Sequence, residues 1–234
     1  MRDPPFLVFD VNETLLDLDV VAAPFERIFG DRAVMREWFA QVILYSEALS
    51  LAGDYVPFGV LGGAVLRMVA ETHGRVVDDG DLTVVREAVA AMPAHPEVAA
   101  SLERLRQAGF RMATLTNNPK ATCVQQLERA GLLKFFEQQF SVDDAVRRYK
   151  PAPETYDAVE QALGLPPARL CLIACHTWDT LGAAAAGWQT ALILRPGNAP
   201  LAVGRQPEIV GADLDAVATA LIERFIAAPA WTSP

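Results

Sequence analysis

Short apolar runs without polar–apolar alternation constrain this chain more than any other feature. They fall at residues 6–9 (FLVF), 111–116 (RMATLT), 170–175 (LCLIAC) and 190–194 (TALIL), with a weaker candidate at 208–210. A strand with one face in water alternates. A strand covered on both faces does not, and that is the environment of a parallel sheet between two layers of helix. Helical patterns occupy the intervals at 96–108, 121–130, 153–163, 179–186 and 214–226. The first places Val98, Leu102 and Leu105 on one helix face, and Gly109, Gly131, Gly164 and Gly187 provide stops. Strands alternating with helices predict the α/β class, a doubly wound (Rossmann-like), mostly parallel sheet.

The stretch after the first run reads differently. From about 19 to 92 no buried strand is legible. Helices are expected at 20–29, 33–51, 58–73 and 82–91, punctuated by Gly53, Pro57, Gly74, Gly80 and Pro93. The expected organisation is a core of residues 1–18 and 94–234 interrupted by an all-helical cap at 19–93. A chain of 234 residues, 52% hydrophobic, has enough material for one sizeable core and a small insertion.

Composition narrows the function classes. A formal net charge of -9 argues against a general nucleic-acid binder. No apolar run approaches the ~20 residues needed to span a bilayer, and the opening MRDPPFLVFD does not read as a signal peptide, so none is expected. Cys123, Cys171 and Cys175 are odd in number and form no CxxC, which argues against a disulfide framework or structural zinc. A cytoplasmic location is expected, with no nucleic-acid or membrane partner. His73 and His95 read as surface residues near helix ends.

Polar clusters stand just past the apolar runs, where open α/β sheets bind ligands. They are Asp10-Val11-Asn12-Glu13-Thr14, Thr116-Asn117, Lys150 in the segment RYKPAP, and Asp179 in HTWD. A strand-end carboxylate such as Asp10 can act as a nucleophile, forming an ester that splits one hard displacement into two easier steps. Lys150 can compensate its charge, Thr14 and Asn117 can donate hydrogen bonds to it, and Asp179 can activate the water that cleaves the ester.

The four clusters in this order resemble the haloacid dehalogenase superfamily over nearly the whole chain. The hallmark DxxxTL stands here as Asp10 to Leu15, Thr116-Asn117 is similar to the second motif, Lys150 before Pro151 to the third, and Asp179 to the fourth. Phosphatases of that superfamily carry DxD and bind Mg²⁺ through further carboxylates. Here Asn12 occupies the second position and has no ionisable proton, and His176 and Thr177 stand where an oxygen-seeking cation finds little.

The text around Lys150-Pro151, Tyr156 and Trp178-Asp179 resembles instead the type II (L-)2-haloacid dehalogenases. That resemblance implies attack of Asp10 on the carbon bearing halide and hydrolysis of the ester with help from Asp179, with no cofactor. The implied catalytic set is Asp10, Thr14, Asn117, Lys150 and Asp179, and the substrate is a small carboxylate. Val11, Asn12, Trp38, Phe39, Thr116, Asn118, Tyr156 and His176 are expected to contact it. A homodimer, which that subfamily often forms, is a further implication.

Departures qualify the likeness. The cap arginine that holds the halide in that subfamily aligns with Phe39, and Arg36, one turn earlier, is a candidate substitute. A cradle of Asn12, Trp38 and Phe39 edges is another. Ala174 and His176 replace polar residues of the fourth motif. Alternatives are therefore a hydrolase of another 2-substituted or strained-ring carboxylate, resembling azetidine-2-carboxylate hydrolase, a Mg²⁺-dependent small-molecule phosphatase, or a non-catalytic binding protein on the same fold.

Overall fold

The computed structural model describes residues 4–226; the end of the expected core at 227–234 lies outside them. The chain enters through strand β1 (Phe6–Phe9) and then runs through α1 (Ala22–Phe29), α2 (Val34–Ala52), α3 (Phe58–Thr72) and α4 (Asp79–Ala90). It continues through α5 (Val98–Gln107), β2 (Met112–Thr116), α6 (Lys120–Arg129), β3 (Gln138–Ser141), α7 (Val142–Ala145) and α8 (Pro153–Leu163). Then come β4 (Leu170–Ala174), α9 (Thr177–Ala185), β5 (Gln189–Ile193), β6 (Ile209–Gly211) and α10 (Leu214–Phe225). The strand order is β3-β2-β1-β4-β5-β6, and every pairing between these strands is parallel.

Alternate residues of the central strands serve two cores, as the period of two requires. Leu7, Phe9, Met112, Cys171 and Ile173 pack in one cluster with Leu102 and Leu105 of α5 and Val217 and Leu221 of α10. Phe6, Val8, Ala113, Leu115, Leu170 and Leu172 pack in the other, with Tyr156 and Val159 of α8 and Ala183 of α9. Both faces of these strands are dry, which explains runs that read as continuously apolar.

Strand β3 has no counterpart in the sequence reading. It is the sheet edge, its residues Gln138 to Phe140 are not buried, and one-sided pairing lets a polar strand persist there. The fifth weak run at 208–210 does form a strand, shifted by one residue, as the opposite edge.

Helices α1–α4 lie between β1 and β2 in the chain. The outgoing and returning segments run side by side: Asp17 N donates to Pro93 O at 2.8 Å, His95 N to Leu15 O at 3.0 Å, and Leu16 bridges Ala94. Farther out, Tyr149 N donates to Ser50 Oγ at 2.8 Å. Tyr149 Oη also donates to Val56 O, Tyr55 Oη to Asp143, and Arg148 to Ser50 O, so the end of α2 is tied to the loop before α8. No described helix is long and apolar enough to cross a membrane.

Candidate active site

β1 has β2 on one side and β4 on the other, so the chain direction switches beside it and a crevice opens at the strand ends. Asp10 occupies the floor of that crevice. Its N–H donates to Ile173 O at 3.0 Å, which extends the β1–β4 ladder by one bond and aims the carboxylate rigidly. Thr14, one turn on, donates Oγ1–H to Asp10 Oδ2 at 2.6 Å and accepts from Cys175 N at 2.9 Å.

Lys150 reaches the other carboxylate oxygen. Its Nζ lies 2.9 Å from Asp10 Oδ1, 2.6 Å from Asp179 Oδ2 and 3.1 Å from Leu115 O. The ammonium is therefore saturated by three acceptors, a requirement for burying it at 1% exposure. The Lys150–Pro151 peptide is cis. Asn117 does not touch Asp10; its Oδ1 accepts from Lys150 N at 3.1 Å and so fixes the lysine backbone. Tyr156, expected to contact the substrate, is instead fully buried and donates to Asp179 Oδ1 at 2.8 Å. This contact depends on Gly182. A Cβ there would sit 2.5 Å from Tyr156 Oη and 2.6 Å from Pro151 Cβ, so only glycine lets α9 lie this close to α8.

The two carboxylates sit in different fields. For Asp10, burial pushes the pKa up, but the Lys150 ammonium, then His176 and Thr14, hold it well below the usual carboxylate range. For Asp179, burial prevails: its pKa is raised, Lys150 pulling against that and the Asp10 charge adding to it. Paired acids with pKa values driven apart are suited to different tasks, here an ionised nucleophile and a base.

Glu13 is the part of the site that sequence reasoning missed, and it joins His176, expected to contact substrate, to the nucleophile's surroundings. His176 Nδ1 lies 3.1 Å from Asp10 Oδ2, and its Nε2 lies 2.8 Å from Glu13 Oε2. Glu13 is 2% exposed, adopts φ 64, and pairs on its other oxygen with Arg36. A left-handed φ in a non-glycine residue is strained by on the order of 1 kcal/mol; at Glu13 it accompanies a carboxylate aimed at the imidazole. The signal in the sequence was the placing of an acid and a histidine just past two strands, β1 and β4, that turn out to be neighbours.

Because both ring nitrogens face carboxylates, only the doubly protonated ring satisfies both. Burial works against that charge and is outweighed by the Cys175 sulfur and the Asp10 and Glu13 carboxylates, so the pKa of His176 stands well above 6.5. A raised folded-state value means that the ring's contribution to stability is full below 6.5 and is lost as pH rises through the folded value. Stability is expected to fall progressively as pH rises from about 6.5 toward the folded value, and His176→Asn is expected to remove that fall. Urea unfolding from about pH 6 to about pH 10 checks this; parallel profiles for parent and variant would show that the ring is not held charged.

Arg36 is not where the cap-arginine argument put it. Its guanidinium is committed to Glu13 and Asp19 and also donates to Pro196 O at 3.2 Å. His95, expected at the surface, is half-buried with Nε2 2.9 Å from Glu13 O, whereas His73 is exposed and paired with Glu37.

Asp10, Asn12, Phe39, Thr116, Asn117, Asn118 and His176 line one pocket together with Ile43, Phe58 and Trp178. Val11 turns its side chain into the hydrophobic core, and Trp38 lies outside this pocket, its Nε1 donating to Gly62 O at 2.9 Å. Thr116 Oγ1 accepts from Asn118 N at 3.1 Å. Asn118 Nδ2 is buried with no partner among the described residues, a donor available to a bound group.

A model of the haloacid dehalogenase-like hydrolases matches residues 6–187. The chain belongs to that family. This hydrolase is similar to haloacetate dehalogenase H-2 of Moraxella sp. (strain B), with 29% identity over 219 residues, covering 93% of this chain and 97% of the relative. Its fold superposes on the L-2-haloacid dehalogenase RSc1362 with a TM-score of 0.87 at 30% identity, covering 94% and 99% of the two chains. It also superposes on the L-2-haloacid dehalogenase of Xanthobacter autotrophicus with chloropropionic acid covalently bound. There the TM-score is 0.84 at 25% identity, covering 96% and 100%.

The Mg²⁺ of the phosphatase branch does not fit this donor set. Asp10, Cys175 and His176 bring ligand atoms within 4.8 Å of one another. The Asp10 oxygens, however, already accept from Lys150, Thr14 and His176, and the ring nitrogens face carboxylates. A soft sulfur and a charged ring are poor partners for a hard cation.

Proposed function

We propose that this hydrolase converts (S)-2-haloacids to 2-hydroxy acids through an ester on Asp10. The observation that carries the reading is that one buried ammonium, Lys150, joins a low-pKa carboxylate to a raised-pKa one. Asp10 Oδ1 attacks the carbon bearing halide from the side opposite the halide, a C–O bond forms, and the halide leaves with the C–X electron pair. Water then adds to the Asp10 carboxyl carbon and gives a proton to Asp179. The Cγ–Oδ1 bond breaks, and that proton passes to the departing 2-hydroxy acid, which carries away the old Asp10 oxygen; the oxygen that water left on Cγ then loses its remaining proton to solvent, restoring the carboxylate.

Thr14 and the His176 ring both point at Oδ2, where negative charge collects when water adds, so they serve as oxyanion donors. Asn118 Nδ2, Thr116 and neighbouring backbone N–H groups receive the substrate carboxylate. With Phe39 in the place of the cap arginine and Arg36 committed elsewhere, Asn12 and the edges of Phe39 and Trp178 take the halide. Residues 1–18 and 94–234 act as the core, and 19–93 as a cap that excludes water. A cytoplasmic homodimer with no nucleic-acid partner completes the reading.

Halide release from (S)-2-chloropropionate in the presence of EDTA tests it, with Asp10→Asn as blank. Asp10-dependent release is the expected result. No release, together with Mg²⁺-dependent hydrolysis of a phosphate ester, would replace displacement at carbon by phosphoryl transfer.

A further inference from the structure

A second space opens beside the catalytic pocket, and the chemistry of Asp10 makes no use of it. It lies among α2, α3 and α4 and is lined by apolar side chains, with Asn12 and Asn118 at one end and Arg86 as its only charged lining residue. Counting its solvent-open part, it holds about 630 Å³, against about 270 Å³ for the catalytic pocket. Asn12, Phe39, Phe58 and Asn118 line both, so the two spaces meet where the buried, unpartnered Asn118 Nδ2 stands.

The helix that walls this space is built to leave it open. Gly59, Gly62 and Gly63 of α3 all face it. Glycine is a poor helix former, so three within five residues call for a reason. At none of the three does crowding or a left-handed φ demand glycine; a Cβ on Gly62 would meet Trp38 Cζ2 at 3.5 Å, an ordinary van der Waals contact. A Cβ on Gly59 would meet nothing within 4 Å, and one on Gly63 only Leu82 Cδ2 at 3.8 Å. What the missing side chains preserve is volume.

We infer that this cavity is the subsite for the substituent on C2 of the substrate, so that the preferred substrates are 2-haloalkanoic acids with an unbranched alkyl chain of several carbons rather than acids of haloacetate size. The inference rests on the dehalogenase reading for the reacting end of the molecule. Asn118 holds the carboxylate at the junction, C2 faces Asp10, and the chain runs between Phe39 and Phe58 into the apolar space. A neutral, flexible chain fits these walls because their one charged residue, Arg86, is exposed and the rest are apolar save Asn12 and Asn118.

Two measurements separate this subsite from the chemistry. The first is calorimetric binding of the unreactive acids propionate and hexanoate to the full chain. The second is kcat/KM for racemic 2-bromopropionate and 2-bromohexanoate. A buried methylene contributes about fourfold, so three of them, if fully buried, are expected to favour the six-carbon acid about sixtyfold in both. Gly63→Leu, which fills the cavity, is expected to bring the binding ratio close to one; Gly59→Leu, whose side chain enters open space, serves if the first variant does not fold. Equal binding of the two acids by the parent, or a ratio unchanged in the folded variant, overturns the subsite. A preserved binding preference without halide release overturns the dehalogenase reading and leaves the subsite standing. Asp10-dependent release that is flat or falling with chain length overturns the subsite alone.

Discussion

Asp10→Asn is expected to lower turnover of (S)-2-chloropropionate by on the order of 10⁴-fold or more, the scale seen when a reacting group is removed from an otherwise intact site. The amide keeps the shape of the carboxylate and loses its charge, and its oxygen is a feeble nucleophile. It also places an NH₂ group against either the Lys150 ammonium or the Thr14 and His176 donors, since Asp10 now accepts from all three. Oxygen isotope settles the role directly. One turnover in ¹⁸O-water is expected to leave the label in the peptide containing Asp10 and not in the first-turnover product. Label in the product alone would mean that water attacks the substrate carbon and that Asp10 is a base. The variant needs mass-spectrometric proof that it has not deamidated.

Lys150→Met carries the second large effect, and it acts on stability as well as rate. The methionine fills similar space without charge, leaving Asp10 and Asp179 buried and uncompensated. Breaking a buried pair by removing one partner costs about 3–5 kcal/mol, and at neutral pH one of the two carboxylates is expected to take up a proton. A nucleophile neutralised in that way stalls the first step. In the variant the folded state binds more protons than the unfolded state, so its stability should rise as pH falls toward the carboxylate range. The parent behaves oppositely at Asp10. That depressed pKa contributes stability above the ordinary value of 3.8, lost only as pH falls through the lower folded value. Urea unfolding of both proteins across this range is the check. A variant within about 1 kcal/mol of the parent at pH 7 would show that Lys150 does not compensate the two acids.

The parts of the fold that sequence revealed are those whose environment is uniform along an element. β1, β2, β4 and β5 are dry on both faces, so their runs stand out. β3 is half wet, and Gln138-Gln139 carries no apolar signature; only its pairing with β2 makes it a strand. The same logic divides the site. Asp10, Thr14, Lys150 and Asp179 follow strands or precede helices at fixed positions, and the structure brings them within hydrogen-bonding distance of one another. Glu13 and Arg36 act through geometry that no spacing encodes. One sits on a left-handed turn residue, and the other leaves its own helix face to reach that turn and the loop at Pro196. Asn117 stands one contact from the nucleophile, through Lys150, and Tyr156 two, through Asp179 and then Lys150.

The ion pairs of the site run in sequence from Asp179 through Lys150, Asp10, His176 and Glu13 to Arg36, acid and base by turns. At rest these six charges sum to zero; Asp19, which also pairs with Arg36, stands outside the row with half of its side chain in water. Forming the ester on Asp10 deletes one negative member from the middle of the row and expels a halide anion, so the covalent intermediate carries one surplus positive charge, shared between Lys150 and His176. The enzyme thus polarises itself halfway through each cycle: the field that then builds around the Asp10 carbonyl draws in the lone pair of water, and restoring the carboxylate discharges it. Adding neutral water does not remove the surplus, so the row stays out of balance from the ester until the regenerated carboxyl gives up its proton.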